Sequence, residues 1–223
     1  MYEGVPVQGR GEVNMADKNL QKDMLAYENT LYEQGYKYVA GVDEAGRGPL
    51  AGSVYAAAVI LPKGCLIDGL RDSKKLSEKK REQLFDVIID KALAYGICAV
   101  DPERIDEINI LEATFEAMRG AVDKLGIKPD FVMIDGNRSK GMDDIEHATL
   151  IGGDDLSLSI AAASVLAKVS RDRYMDEMAK IYPEYEFEKH KAYGTKLHRE
   201  LIAKYGPCPI HRKSFKGVKE YVK

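Results

Sequence analysis

The sequence predicts an α/β fold: a mixed sheet flanked by helices, with a helical C-terminal region. Three observations carry this. Two strand-like runs, 37–43 and 53–61, are joined by the Gly-rich loop Ala45-Gly-Arg-Gly-Pro49, which suits a hairpin. Further apolar runs then alternate with segments of helical period, which suits helices packed on a sheet. Finally, Leu111, Phe115, Met118, Val122 and Leu125 step by four, three, four and three, the spacing of an amphipathic helix.

In chain order, residues 1–14 are Gly-rich and aperiodic, expected to be disordered or extraneous ahead of Met15 or Met24. The polar stretch 17–34, with sparse Leu20, Met24, Leu25 and Leu31, predicts one helix. Ser77 is an N-cap for a helix over 78–94, where Leu84, Phe85, Ile88 and Leu93 are apolar. A strand is expected near 95–101. Lys128-Pro129 separates the Leu111–Leu125 helix from the strand Phe131-Val-Met-Ile-Asp135. A short strand over 147–151 precedes a long helix, Leu158–Ile181, lined by Ala161, Ala162, Val165 and Ala167. One more helix is expected near 196–205.

The 223 residues are 45% hydrophobic and 31% charged, ordinary for a globular protein, so a buried core is affordable. No apolar run approaches the roughly 20 residues of a membrane span. The chain does not open on a basic, then apolar, secretory leader. Cys65, Cys98 and Cys208 are widely spaced without a CxxC pair, which argues against a disulfide framework or a zinc site and suits a reducing cytoplasm. The net charge of −3 hides an asymmetry: Lys189 to Lys223 holds ten Lys or Arg against two acids, and three of the four histidines. Such a tail suits an anionic partner, or is simply a solvated helical face.

The chemistry concentrates in acids at strand ends. Asp43-Glu44 ends one apolar run and Asp135 another. Ligands of open sheets collect beyond the carboxyl ends of the strands, so parallel neighbours would bring these acids together. Successive side chains on a strand face opposite ways, so Asp43 and Glu44 share a site only if the strand ends there. Gly152-Gly-Asp154-Asp155 adds acids at a flexible turn. Converging carboxylates repel and stay ionised together only around a cation, and oxygen donors favour Mg²⁺ or Mn²⁺. The alternative is plain Asp-Gly turn chemistry.

Three loops complete the candidates. Gly46–Gly52 lacks the Lys-Ser/Thr of a P-loop and joins strands, but its small residues admit close backbone approach, and Arg47 suits a phosphate. Asp72-Ser73-Lys74-Lys75-Leu-Ser77 offers lysines and hydroxyls for phosphates, or is an exposed capping loop. His190-Lys-Ala-Tyr193-Gly-Thr195 sets an aromatic among basic residues, for stacking on a base or sugar, or for ordinary packing.

Together, GVDEAGRGPLAGSV, DSKKLS, NILEAT, IDGN, GD…LSIAAASVLAKVSRDR, HKAYGT and HRKSF resemble ribonuclease HII, in that family's order, over about residues 37–217. The resemblance implies an RNase H-like fold. It implies an endoribonuclease that hydrolyses the RNA strand of RNA–DNA hybrids and nicks 5′ of single ribonucleotides in duplex DNA. Asp43, Glu44, Asp135 and Asp154 would hold two Mg²⁺ or Mn²⁺ ions and act in catalysis, leaving 3′-hydroxyl and 5′-phosphate ends. Gly46, Arg47 and Gly48 would read the 2′-hydroxyl at the RNA–DNA junction, Tyr193 would pack on its sugar, and Ser73, Lys74 and Lys75 would meet the substrate. Ala192 stands where the family usually has glycine, and a second acid, Asp155, follows Asp154. The implied layout is an N-terminal extension over 1–36, an RNase H-like catalytic core over 37–185 and a basic substrate-binding region over 186–223, in a cytoplasmic monomer. A non-catalytic binding module and a metal-dependent phosphatase are the competing readings, and ribonuclease HIII usually carries a larger N-terminal domain than 36 residues allow.

Overall fold

The computed structural model describes residues 23–222. The run 1–14 and the first part of the 17–34 helix lie outside them. Five strands form one sheet: β1 (Val39–Ala45), β2 (Val54–Ile60), β3 (Ala94–Val100), β4 (Phe131–Asp135) and β5 (His147–Leu150), in the order β3-β2-β1-β4-β5. β2 pairs antiparallel with both β1 and β3, the predicted hairpin and its continuation. β4 runs parallel to β1 and to β5, so the sheet is mixed as expected.

Eight α-helical segments accompany the sheet among the described residues: α1 (Ala26–Glu33), α2 (Glu78–Lys91), α3 (Pro102–Ile108), α4 (Ile110–Asp123), α5 (Gly153–Leu156), α6 (Leu158–Ile181), α7 (Phe187–His190) and α8 (Lys196–Tyr205). Ser77 caps α2 by accepting from the Lys80 amide, and Ser157 caps α6 by accepting from that of Ile160. α2 stops three residues short of 94 because Ala94 already pairs with Ile60 at the start of β3. α3, α5 and α7 were not expected. Pro102 opens α3, and Asn109, at φ 71°, ends it while its side chain caps α4.

Alternation along the central strands sorts the core into two layers. Ala40, Val42, Ala56, Ala58, Val132 and Ile134 pack under α4 through Ala113, Ala117, Met118 and Ala121. On the other face, Ala57 and Val59 meet the small residues of α6, and Val39 and Met133 meet Ile160. Central β1 and α6 approach so closely that a Cβ on Gly41 would lie 2.2 Å from the Ser159 carbonyl carbon. Only glycine fits there, and the approach brings the start of α6 over the carboxyl ends of β1 and β4.

Helix α1 and the residues just ahead of it are docked onto that junction. Glu28 of α1 is buried, and its Oε1 accepts from Ser157 Oγ at 2.7 Å and from the Ser159 amide at 3.0 Å. The Leu158 amide donates to Met24 O.

Candidate metal and substrate site

The parallel register sets Val42 beside Ile134, so the next residue on each strand is an acid at the same edge. Asp43 and Asp135 both face α6, because Gly41 and Met133, two residues back on each strand, contact its first turn. Asp154 reaches them from α5. The expected flexible turn is instead one helical turn, entered through Gly152 at φ 68° and pinned by the Gly153 amide donating to Asp135 Oδ1 at 2.7 Å. Carboxylate oxygens of Asp43, Asp135 and Asp154 lie within 4.8 Å of one another.

The crowded charges of this trio are only partly relieved. Burial pushes the Asp43 carboxyl well above its ordinary range, and the negative charges of Glu44 and Asp135 push it further; the Ser164 hydroxyl pulls weakly the other way. Asp43 Oδ1 accepts from the Glu44 amide at 2.7 Å, but Oδ2 is buried with no hydrogen-bond partner among the described residues. Burial also raises Asp135, against the amide of Gly153. A buried orphan oxygen amid crowded carboxylates is the donor set a hard divalent cation satisfies, so the residues fit Mg²⁺ or Mn²⁺.

Glu44 is placed differently. β1 does not end at Asp43: its pairing with β2 continues through Glu44 and Ala45, and only the β4 side stops. Glu44 therefore turns to the α4 face, where its Oε1 lies 3.4 Å from Arg47 Nη1. With Asp135 it borders a cavity of about 340 Å³ lined also by Thr114, Phe115 and Arg138. It acts on the trio as a nearby charge rather than as a fourth member of the tight cluster.

Asp155 leaves the trio as well, pairing with Lys75 at 2.6 Å on the surface. Lys74 pairs with Asp154 at 3.1 Å; burial pulls the Lys74 ammonium down, but Asp154 outweighs it and holds it above its ordinary range. Ser73 is buried and hydrogen-bonded to Ser164 Oγ at 2.7 Å, so it supports the floor beneath Asp43 rather than presenting a hydroxyl outward.

The glycine loop and the tyrosine do meet. A Cβ on Gly48 would lie 3.8 Å from Tyr193 Cε1, and Tyr193 is 44% exposed. The loop is held from behind by Arg212, fully buried, which donates to the carbonyls of Gly46, Arg47, Pro49 and Gly52 at 2.6–2.9 Å. Burial pushes Arg212 down to about 9, still a cation at neutral pH. Arg171 of α6, equally buried, donates to Ala51 O and Lys191 O and lies 5.8 Å from the Tyr193 ring. Arg171 Nε fills the space a Cβ on Gly46 would need, which explains that glycine at φ 97°.

A sequence model of ribonuclease HII matches residues 40–218, spanning every element of this site except α1. The chain belongs to the ribonuclease HII family. It is therefore a metal-dependent ribonuclease H. It is 52% identical over 196 residues to the ribonuclease HII of Caldicellulosiruptor saccharolyticus, covering 88% of this chain and 95% of that protein. Its fold is similar to that of the ribonuclease H2 of Pyrococcus horikoshii OT3, with a TM-score of 0.69, 28% identity and coverage of 82% and 96% of the two chains. At the level of fold alone, it is similar to Bst-RNase HIII solved in complex with Mn²⁺, with a TM-score of 0.67 and 16% identity over 85% and 70% of the two chains.

Sequence reasoning missed the supports of this ribonuclease HII site. Arg171, Arg212 and Glu28 read as ordinary charged residues and Ser164 only as a position in a motif, although Ser164 and Arg171 lie within LSIAAASVLAKVSRDR and Arg212 within HRKSF, stretches that carried the resemblance.

Proposed function

We propose that this ribonuclease HII hydrolyses the RNA strand of RNA–DNA hybrids and nicks duplex DNA on the 5′ side of single embedded ribonucleotides. The observation that carries the reading is the convergence of Asp43, Asp135 and Asp154 beside the contact of Gly48 with Tyr193. Chemistry at a phosphodiester and recognition of a sugar then lie next to each other.

Asp43, Asp135 and Asp154 would hold the metal, with Glu44 contributing from the opposite face. A bound pair of Mg²⁺ or Mn²⁺ ions would supply an activated water and neutralise charge on the leaving oxygen. The chain's own groups do the rest. Backbone groups of Gly46 and Gly48 approach the 2′-hydroxyl, the feature that separates RNA from DNA. Tyr193 packs on the same sugar and Arg47 meets a phosphate. Lys74 releases Asp154 to the metal and turns to the strand, with Lys75 beside it. Hydrolysis leaves 3′-hydroxyl and 5′-phosphate ends, since the 2′-hydroxyl is held as a recognition element and not as a nucleophile.

The reading divides the chain into an extension over 1–36, a catalytic core over 37–185 and a substrate-binding region over 186–223. It places the protein in the cytoplasm as a monomer, in keeping with three free cysteines and with no described helix long and apolar enough to cross a membrane. The test is duplex DNA carrying one ribonucleotide, incubated in Mg²⁺ and in Mn²⁺. One nick 5′ of the ribonucleotide, abolished by chelator, is expected. Cleavage confined to longer ribonucleotide runs overturns the roles of Gly46–Gly48 and Tyr193.

A further inference from the structure

Three of the four histidines, His190, His198 and His211, are buried together behind Tyr193. His190 stacks on His198 with centroids 4.5 Å apart, and His198 Nε2 lies 3.1 Å from His211 Nε2. Cys208 Sγ adjoins His211 at 3.0 Å, but on Nδ1, the far side of the ring from His198. The four groups therefore cannot converge on one ion.

His211 and His198 form a hydrogen-bond relay whose direction is fixed at both ends by backbone. At one end the Cys208 amide donates to His211 Nδ1 at 2.9 Å. A neutral imidazole that accepts at Nδ1 carries its proton on Nε2. His211 thus donates to His198 Nε2, and His198 must carry its own proton on Nδ1. That nitrogen lies 3.1 Å from the carbonyl oxygen of Tyr193, which can only accept. His190 is assigned the same way: Nδ1 accepts from the Ala192 amide at 3.2 Å and Nε2 donates to Tyr185 O at 3.0 Å. Burial pushes His198 down to about 3 and His211 down to about 4, so the rings stay neutral where the protein works.

The backbone they hold is strained. Lys191 and Ala192 have φ of 45° and 65°, left-handed values that non-glycine residues adopt only when surroundings over-determine them. Arg171 fixes Lys191 O, the Leu50 amide fixes Ala192 O, and the histidines fix the Ala192 amide and Tyr193 carbonyl.

We propose that His211 and His198 are positioning residues for Tyr193, with His190 bracing the same loop through the Ala192 amide: the one-directional neutral relay of His211 and His198, running from the Cys208 amide to the Tyr193 carbonyl, sets the backbone from which the tyrosine meets Gly48, and with it the recognition of the ribonucleotide sugar. The proposal rests on the reading of Tyr193 given above.

The experiment measures kcat and KM on single-ribonucleotide duplex for the full-length protein and for Tyr193→Ala, His198→Leu and His198→Asn. Leu removes the donor to Tyr193 O; Asn restores an N–H at the Nδ1 position. His198→Leu is expected to raise KM about tenfold with kcat within about twofold, and His198→Asn to recover most of it. If His198→Leu fails to fold, ring ¹⁵N shifts of the native protein decide: the proton must sit on Nε2 of His211 and on Nδ1 of His198. The opposite tautomers overturn the relay, as does a KM unchanged in His198→Leu or unrescued in His198→Asn. An unchanged KM in Tyr193→Ala overturns the sugar-reading role itself, whereas a raised KM there with an unchanged one in His198→Leu overturns the relay alone.

Discussion

At the carboxyl ends of β1 and β4, buried acids crowd together and Asp43 Oδ2 has no partner among the described residues. Behind the Gly46–Gly52 loop, Arg212 meets four carbonyls and the ring nitrogens of three histidines each find a donor or acceptor. Both regions bury polar groups, with contrasting outcomes: the acids leave a carboxylate oxygen bare among like charges, whereas in the second region Arg171 lacks an acceptor only at Nε among the described residues, its other nitrogens being used. A bare oxygen amid like charges marks where something from outside completes the structure; a mostly satisfied network marks where shape is fixed in advance. On the proposed reading, chemistry belongs to the first region and recognition to the second.

Breaking the first region should have the largest effect. Asp43→Asn should reduce cleavage by about a thousandfold or more, from loss of several kcal/mol of metal-borne stabilisation. The same variant should melt higher than the wild type in chelator at neutral pH. The sign follows from the raised carboxyl: its folded value exceeds its unfolded one, so stability is greatest below the unfolded value and is lost as pH rises through the folded one. Thermal melts with and without Mg²⁺ check this, and equal melting temperatures in chelator would refute it.

In the second region the expected loss is of stability before chemistry. Arg212→Lys cannot serve four carbonyls with one ammonium and should lower stability by about 2–4 kcal/mol in urea titrations.

Glu28 sharpens the comparison, since it is half satisfied: Oε1 has two donors while Oε2 has none among the described residues. Burial raises its carboxyl against the Ser157 and Ser159 hydrogen bonds. Its contribution is therefore present below the ordinary value of 4.5 and lost as pH climbs through the raised one. Glu28→Gln keeps the acceptor without the charge, so it should melt about 2–4 °C higher at pH 8 and show a flatter stability–pH curve. A parallel curve would place the strain elsewhere.

The smallest effect belongs to the surface pair. Lys75→Gln should leave the melting temperature within about 1 °C, and should lower the salt slope of hybrid binding by about one.

The hairpin, the FVMID strand, α4 and α6 were legible because their apolar spacing states their packing directly. α3 was not: among its seven residues only Pro102 and Ile105 are buried, too few to set a period. Asp43 and Asp135 were legible as acids closing apolar runs, and Asp154 as an acid at the turn before the long helix. The turning away of Glu44 was not, since it follows from β1 continuing against β2 after β4 has ended. The basic tail misled in one respect. Arg212 was counted with the charges facing an anionic partner, yet it is fully buried under the glycine loop. Charge is written in sequence, but burial of a charge is a tertiary fact.

The long helix α6 joins these two halves of the molecule. Asp154 stands just ahead of it, and Arg171 lies thirteen residues beyond its first residue, Leu158, about 20 Å along at 1.5 Å per residue. It is a gauge bar, fixing how the acids at its head stand relative to the arginine that backs the glycine loop. Substitutions along it can be absorbed where they fall. Inserting one residue would turn everything downstream by about 100°, so the count of residues between Asp154 and Arg171 is itself under constraint, whatever residues fill it.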